Sequence, residues 1–351
     1  MSQKALVVSD EYEPVLVTDR PIPKLRDNFI LVKTVSVALN PTDWKQLKNS
    51  PPPGALIGCD YAGIVEEVGK GVTKPFRRGN RICGFAHGSN AVNPENGAFA
   101  EYIVVKGDAA ALIPDSLSFQ EAATLGVGIG SVAQGLYQDK KGLGLALPTK
   151  PLAHPEPILI YGGSSATGSL AIQFAKLSGY TVITTCSPRN FDFVKQLGAD
   201  LVYDYRDPEA PKAIREYTKD GLKLVFDTIG TKDAIQFSDN ALSTQGGDYV
   251  TLLVDKIDRE NVNSRWIIAY STLGEYFKYG QWEFPEVPED FEFAAKFWDS
   301  IAQPLLAEGK IKPHRPSVIA GGLKGVAEGL QLMKEGKVSG EKLVYNIAET
   351  L

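Results

Sequence analysis

Between residues 158 and 254, short runs of Val, Ile and Leu alternate with amphipathic stretches that have helical spacing. The apolar runs are ILIYGG, YTVITTCS, DLVYDY, KLVFDTIG and GDYVTLLV. Continuous apolar strands separated by helices are typical of a parallel sheet that is covered by helices on both faces. This part of the chain is therefore predicted to have an α/β fold built on a doubly wound parallel sheet.

The two ends of the chain differ in sequence pattern from residues 158–254. Within the first 125 residues, proline clusters separate segments rich in β-branched and aromatic residues, among them NFILVKTVSVALN, YAGIVEEVG and GAFAEYIVVK. This pattern predicts a mainly-β region. From residue 286, a long amphipathic pattern precedes the predicted strand SGEKLVYNI. We expect this last segment to complete the first domain, so that residues 1–125 and 286–351 form one domain and residues 126–285 form the other.

Size and charge narrow the class of protein. A chain of 351 residues exceeds the size of one hydrophobic core, which favours two domains. Its net charge of −5 argues against a general nucleic-acid or anionic-membrane binder. No apolar run approaches the roughly 18 residues of a membrane span, and the N-terminus lacks a signal-peptide pattern. The three cysteines include no C-x-x-C pair, so we expect an enzyme of the reducing cytoplasm.

A turn of small residues, GGSSATG, joins the first strand of the parallel sheet to the next helix. Aligned on its last glycine, the turn reads Gly163-x-Ser165-x-x-Gly168, so that Ser165 replaces the middle glycine of the usual dinucleotide fingerprint. Backbone N–H groups and the helix N-terminus favour a pyrophosphate at such a turn. We assign cofactor binding to the whole loop: Gly163, Ser164, Ser165, Ala166, Thr167 and Gly168.

The end of the second strand indicates which dinucleotide is bound. Enzymes that use NAD present Asp or Glu to the ribose at about 20 residues beyond the glycines. This chain has Ser187 and Arg189 there instead, and Tyr205 ends the neighbouring strand. A hydroxyl and a guanidinium can bind a 2′-phosphate, which a carboxylate would repel. Unless Arg189 is only a solvated residue of the first helical turn, these residues favour NADPH.

Taken together, the motifs NPTD, GAFAEY, YGGSSATG and SGEKLV, in this order, resemble the medium-chain dehydrogenase/reductase superfamily over nearly the whole chain. Within it, the chain is most similar to zinc-independent quinone and enoyl reductases, and especially to fungal trans-acting enoyl reductases of polyketide pathways. The resemblance implies a mainly-β, GroES-like catalytic domain built from both chain ends and a Rossmann domain between them.

Zinc-dependent members of the superfamily carry ligands that this chain lacks. Asn40 stands at the position of a ligating cysteine, and Cys59 and Asp60 replace a His-Glu pair. A catalytic zinc needs about three converging protein ligands. The histidines show no ligand spacing: His87, His154 and His314. We predict that no zinc is bound and that Cys59 is a small buried residue.

Without a metal, hydrogen bonds must stabilise the charge that develops on the substrate, which favours hydride addition to a conjugated C=C bond over simple carbonyl reduction. By its family position, Asn40 is the candidate donor beside the nicotinamide. Lys45 is either a positive charge directed at the substrate or a surface lysine. Tyr61 is either a proton donor or a packing residue, and Asp43 is expected to be structural. No decisive general acid stands out, so solvent is left as a proton source.

The resemblance also implies further cofactor contacts. Ser131 matches a small hydroxyl residue on the nicotinamide ribose side, and three other positions are assigned to the cofactor: Leu253, Ser339 and Lys342.

The predicted function is NADPH-dependent reduction of an activated double bond, and the suggested partner is a polyketide synthase that carries the substrate. Aldehyde reduction and crystallin-like NADPH binding with little turnover remain open. A polar segment at 255–266 favours a monomer over a homodimer.

Overall fold

The computed structural model describes residues 2–351. Contacts between Cα positions divide the chain into two compact units, one formed by residues 1–127 and 270–351 and the other by residues 128–269. Segment 270–285, which the sequence analysis assigned to the second domain, therefore clusters with the first unit. It does so because Tyr270 and Phe277 pack on the ring of His87.

The secondary-structure elements follow in chain order. The N-terminal part contains β1 (Ser2–Val8), β2 (Pro14–Pro21), β3 (Phe29–Ala38), α1 (Pro41–Lys45), β4 (Asp60–Val68), β5 (Arg81–Phe85), β6 (Tyr102–Lys106), β7 (Ala110–Leu112), α2 (Phe119–Ala122) and α3 (Gly126–Val132). The middle part contains β8 (Pro157–Tyr161), α4 (Ala166–Leu177), β9 (Thr181–Cys186), α5 (Phe191–Gln196), β10 (Leu201–Asp204), α6 (Ala210–Tyr217), β11 (Leu224–Asp227), α7 (Lys232–Ala241), β12 (Gly247–Thr251) and β13 (Val262–Trp266). The C-terminal part contains β14 (Phe277–Tyr279), β15 (Trp282–Phe284), α8 (Pro288–Phe297), α9 (Gln303–Ala307), β16 (Pro316–Ile319), α10 (Val326–Lys334) and β17 (Lys342–Asn346).

The first unit is built on a sheet in the order β16-β17-β3-β4-β5-β7, and β6 also pairs with β3. Its core consists of apolar side chains from this sheet and from α10, among them Ile30, Val65 and Leu330. The C-terminal strand β17 lies antiparallel to β3, with Val344 opposite Ala38, and β3 lies antiparallel to β4, with Ala38 opposite Asp60. The start of β17, the end of β3 and the start of β4 are therefore neighbours.

The second unit contains a parallel sheet in the order β10-β9-β8-β11-β12-β13. This is the strand order of dinucleotide-binding Rossmann sheets, and it confirms the predicted fold class. The five apolar runs of the sequence all form strands. The edge strand β13 was not predicted, because it has the polar sequence VNSRW and no continuous apolar run.

The long amphipathic pattern near the C-terminus forms helical structure as α8, a π-helical segment at Trp298–Ala302, and α9. Pro304 is tolerated because it stands in the first turn of α9, where an N–H donor is not required. No helix within residues 2–351 combines the length and the hydrophobicity that a membrane span requires.

Candidate active site

Three strand ends of the first unit bring together a buried polar cluster. The Lys342 ammonium, at the start of β17, donates to the side-chain oxygen Oδ1 of Asn40 at 2.8 Å and to Oδ2 of Asp60. The side chains of Lys342 and Asp60 are 2% and 0% exposed. The other carboxylate oxygen of Asp60 accepts the backbone N–H of Val127 at 2.6 Å. The charge pair is thus fully buried and hydrogen-bonded on both sides.

Asn40 is held from its backbone as well as from its side chain. It is the N-cap residue of α1, and its N–H donates to Oδ2 of Asp43 at 2.7 Å. In return, the Asp43 N–H donates to the Asn40 carbonyl at 3.0 Å. The side-chain nitrogen Nδ2 of Asn40 is buried and has no hydrogen-bond partner within residues 2–351. The fixed loop therefore presents an amide donor that has no acceptor among the residues that the structure describes.

Two ionisable side chains near Asn40, those of Asp43 and Cys59, are buried, and burial raises the pKa of each. Burial raises the pKa of Asp43 to about 7, although the Asn40 N–H and the Cys59 thiol oppose this rise. Burial also raises the pKa of the Cys59 thiol well above its usual range. Cys59 is 1% exposed, as expected for a small buried residue.

A tyrosine that the sequence analysis missed lies next to this cluster. The Tyr270 hydroxyl is 2.7 Å from Oγ1 of Thr42 and 3.4 Å from the Cys59 sulfur. The His87 ring stacks on the Tyr270 ring at a centroid distance of 3.7 Å. Burial lowers the pKa of His87 to about 3, so this imidazole is neutral at neutral pH. Nothing in the local sequence around Tyr270 indicates its position, which depends on contacts with distant residues.

The residues at the positions of zinc ligands do not fit a zinc ion. The side-chain oxygen of Asn40 and both carboxylate oxygens of Asp60 already accept hydrogen bonds, and the nearest charge is the Lys342 ammonium. Within residues 2–351, His, Cys, Asp and Glu side chains form no group of three or more that could hold a metal.

The other two predicted catalytic residues have different surroundings. Lys45, in the last turn of α1, is half-buried and has no hydrogen-bond or ion-pair partner within residues 2–351. Burial, and secondarily the charge of Lys48, lower the pKa of Lys45. Tyr61 is fully buried in the core of the first unit, and burial raises its pKa well above the usual range. The Tyr61 hydroxyl has no hydrogen-bond partner within residues 2–351, and its place among apolar core side chains favours packing over the proton-donor role.

In the second unit, the small-residue loop connects β8 to α4 as predicted. Gly162, at the tight turn, has a φ of +82°, which favours glycine. A Cβ at Gly163 would lie 2.1 Å from Oγ1 of Thr184, and one at Gly168 would lie 2.2 Å from the Gly162 carbonyl oxygen. Both glycines therefore permit close packing of the loop and helix on the sheet.

Ser165 acts as the N-cap of α4 and fits the place of the missing glycine. Its hydroxyl accepts the N–H of Gly168 at 2.9 Å. The N–H groups of Ala166 and Thr167, also in the first turn, have no acceptor within the helix by its geometry. These donors and the positive end of the helix dipole suit a pyrophosphate. The predicted loop residues thus fit a nicotinamide dinucleotide, whose bound form would supply hydride chemistry.

The predicted ribose-phosphate residues lie at the carboxyl ends of adjacent strands. Asp204 of β10 pairs in register with Cys186 of β9, so Tyr205 and Ser187 follow at neighbouring strand ends. Arg189 is exposed, in a short 3₁₀ turn at Pro188–Asn190. An arginine that the sequence analysis missed, Arg206, lies beside them: it forms a bidentate pair with Asp204 and its guanidinium is 5.6 Å from the Tyr205 ring centroid.

The remaining predicted cofactor residues are spread over both units. Ser131 is buried in α3. Leu253 follows β12. A Cβ placed on Gly230 would lie 2.9 Å from the Leu253 side chain, so Leu253 packs against the loop after β11. Ser339 lies shortly before β17 and is half-buried. Lys342 lies at the start of β17 in the first unit, where its ammonium bonds to Asp60 and Asn40.

Comparison with known proteins identifies the family. The alcohol dehydrogenase GroES-like domain matches residues 26–115, and the zinc-binding dehydrogenase domain matches residues 166–260. The chain is 58% identical to the trans-enoyl reductase TOXD of Cochliobolus carbonum over 295 residues, covering 84% of this chain and 98% of that protein. It is 46% identical to the trans-enoyl reductase ACTTS2 of Alternaria alternata, covering 99% of each chain.

Solved structures show the same architecture. An alcohol dehydrogenase superfamily protein from Novosphingobium aromaticivorans superposes with a TM-score of 0.78 at 23% identity, covering 97% of this chain and 98% of that one. The quinone oxidoreductase from Coxiella burnetii gives a TM-score of 0.69 at 26% identity, covering 98% and 99%. With these folds and the full-length similarity to fungal enzymes, the chain belongs to the trans-enoyl reductases, oxidoreductases of the quinone oxidoreductase-like branch of the medium-chain dehydrogenase/reductase superfamily.

Proposed function

We propose that this chain reduces the C=C bond of an α,β-unsaturated carbonyl compound, with NADPH as the hydride donor. The observation that carries the proposal is the buried side-chain amide of Asn40, whose Nδ2 has no acceptor within residues 2–351. Buried donors in folded proteins are nearly always hydrogen-bonded, and an acceptor from outside the chain would satisfy this one. An oxygen that becomes negatively charged during the reaction is such an acceptor.

The reaction places this charge on the carbonyl oxygen. With NADPH held at the glycine loop, its hydride would add to the carbon β to the carbonyl, and the electron pair of the C=C bond would shift to leave the negative charge on the oxygen of an enolate. Asn40 donates from Nδ2 to the enolate oxygen and lowers the energy of the transition state. A proton then bonds to the α carbon, which completes the saturated carbonyl product. Tyr61 is enclosed in the core, so water remains the proton source in this scheme.

Lys45 is proposed to bind the polar end of the substrate. It is half-buried in α1, which Asn40 caps, and within residues 2–351 it has no acidic partner that would neutralise its charge. A thioester carbonyl, a carboxylate or the phosphate of a carrier arm would each interact favourably with this charge. Substrate bound to the carrier protein of a polyketide synthase is therefore our preferred form.

NADPH is proposed in preference to NADH because the strand end after β9 carries Ser187 in place of an acid, with the exposed Arg189 two residues away. Asp204, at the next strand end, is already paired with Arg206, which offsets its repulsion of a phosphate.

The free state of all three cysteines supports a reducing, cytoplasmic location. The polar edge strand β13 supports a monomer, which light scattering in solution would test.

The product distinguishes this function from aldehyde reduction on the same scaffold. With NADPH and cinnamaldehyde, the proposed enzyme gives the saturated aldehyde, whereas an aldehyde reductase gives the unsaturated alcohol. Exclusive formation of the alcohol would contradict the proposal. An enoyl group offered on a small thioester and on a carrier protein then tests the substrate form, and a much higher kcat/KM for the carrier-bound group is expected. Stoichiometric NADPH binding without turnover of any of these compounds would instead favour a binding protein.

A further inference from the structure

We propose that Lys342 is a positioning residue for the reaction: it fixes the orientation of the Asn40 amide so that Nδ2 points to the substrate oxygen. This inference rests on the proposed function. It assigns Lys342 a role different from the cofactor contact suggested by the sequence. The ammonium lies 2.8 Å from Oδ1 of Asn40 and is also bonded to the buried Asp60.

The chemistry of the two groups determines which way the amide faces. A lysine ammonium has three donors and no acceptor, so only the oxygen of an amide can face it favourably. Oδ1 of Asn40 must therefore point to Lys342, and Nδ2 must point away from it. A flipped amide would place its N–H₂ group against a buried positive charge and leave the oxygen without a donor, which is unfavourable for both groups. Lys342 thus selects one of two amide orientations.

The ammonium also makes Asn40 a better donor. A positive charge beside Oδ1 polarises the amide, which makes the Nδ2–H groups more positive and strengthens their hydrogen bond to an anionic oxygen. The effect is large where water is excluded, and the Lys342 side chain is 2% exposed. The same enclosure keeps the ammonium from acting on the substrate directly, because Asn40 and Asp60 already occupy it.

Asp60 holds the lysine in place. Its carboxylate is fully buried and bonded both to Lys342 and, at 2.6 Å, to the N–H of Val127. The register of β17 and β4 on either side of β3 brings the two residues to the same sheet end. Because removal of one partner from a buried ion pair leaves an uncompensated charge, Lys342→Met alone is expected to destabilise the chain. The double variant Asp60→Asn/Lys342→Met removes both charges and keeps an oxygen for Val127.

The test is a mutant cycle with Asn40. We expect Asp60→Asn/Lys342→Met to lower kcat for enone reduction by about 10- to 100-fold, less than the loss of a complete oxyanion donor. Its Kd for NADPH should change by less than about 3-fold, since the cofactor is not touched. In an Asn40→Ala background, the same double change should lower kcat by less than about 3-fold, because the amide that it orients is gone. Lys74→Met is the control: this half-buried lysine bonds the Ala110 carbonyl elsewhere in the first unit, and its loss should leave kcat unchanged.

The results that would contradict the role of Lys342 differ from the result that would contradict the proposed function. If the losses in kcat multiply in the Asn40→Ala background, or if Asn40→Ala has no effect on kcat, Lys342 does not act through Asn40. If Kd for NADPH rises while kcat is kept, the cofactor contact is the correct role. If the wild-type protein gives only the unsaturated alcohol, the proposed function fails instead. The cycle is then measured on that reaction, whose alkoxide would need the same donor, and its outcome decides the role of Lys342 separately.

Discussion

The ammonium of Lys342 lies 2.8 Å from the side-chain oxygen of Asn40, although 302 positions separate the two residues in the chain. The resemblance to zinc-dependent members of the superfamily places Asn40 at the position of a metal ligand. In this chain the Lys342 ammonium lies beside Asn40 instead, and the carboxylate of Asp60 holds it there. The first unit thus offers a fixed positive group and an amide donor where a metal-dependent enzyme offers a Lewis acid.

This arrangement predicts that the purified protein contains far less than one zinc per chain and that chelators leave its reductase activity intact. The physical reason is that the side-chain oxygens of Asn40 and Asp60 already accept hydrogen bonds and that the nearest charge is the Lys342 ammonium. Elemental analysis of protein expressed in zinc-supplemented medium, with activity measured before and after treatment with a chelator, checks the prediction. About one tightly bound zinc per chain, with activity lost on its removal, would contradict it.

The fold was predictable because its signals are local. Each of the five apolar runs carries a strand pattern in its own sequence, and the glycine loop is recognisable from a dozen consecutive residues. The polar edge strand β13 has no such signal, since only its pairing with β12 stabilises it. The same limit applies to the site. Asn40 and Lys45 lie in one recognisable motif, whereas Tyr270 and the role of Lys342 depend on contacts between distant segments.

The cofactor preference gives a second prediction. Arg189→Ala should raise Kd for NADPH by about 10- to 150-fold, because one charge-assisted contact contributes roughly 1.5–3 kcal/mol. Kd for NADH, which has no 2′-phosphate, should barely change. Fluorescence titration with both cofactors measures the two constants. The control is Arg78→Ala, an exposed arginine of the first unit that pairs with Glu66. Equal weakening of both cofactors by Arg189→Ala would place this residue outside the phosphate pocket.

The buried imidazole of His87 predicts a loss of stability in acid. Burial lowers its pKa from 6.5 to about 3, so the unfolded chain takes up the proton first. The contribution of His87 to stability is therefore fully present above pH 6.5 and is lost as the pH falls toward 3. We expect the free energy of unfolding of His87→Phe to fall less steeply between pH 6 and pH 4 than that of wild type. The difference approaches about 1.4 kcal/mol per pH unit for one proton.

Urea unfolding at several pH values measures this difference. Phenylalanine keeps an aromatic ring beside Tyr270, where the imidazole stacks at 3.7 Å. Asp43, whose pKa burial raises to about 7, contributes with the opposite sign, but it is present in both proteins and largely cancels. His154→Phe, the same substitution at an exposed histidine, is measured as the control. Parallel curves for His87→Phe and wild type would show that His87 does not titrate with folding.

The last prediction concerns substrate binding by Lys45. A lysine that is half-buried, without an acidic partner, and with a pKa lowered by burial, is held at an energetic cost that an anionic or strongly polar ligand can offset. Lys45→Met keeps the length and the apolar stem of the side chain and removes only the charge. We expect it to raise KM for an enoyl thioester by about 10-fold and to leave kcat within about 3-fold, as for an interaction that is equal in the ground and transition states.

Lys48 provides the matched comparison for Lys45. Its ammonium lies 4.9 Å from the centroid of the Trp44 ring, and that of Lys45 lies 5.8 Å from the same centroid, but Lys48 is exposed. Lys48→Met should therefore leave KM and kcat unchanged. Steady-state kinetics of both variants with one substrate gives the comparison directly. If Lys45→Met lowers kcat and kcat/KM equally, the charge acts only in the transition state, and Lys45 then shares the enolate oxygen with Asn40. If both variants behave like wild type, Lys45 is a surface lysine, and substrate recognition must come from other residues.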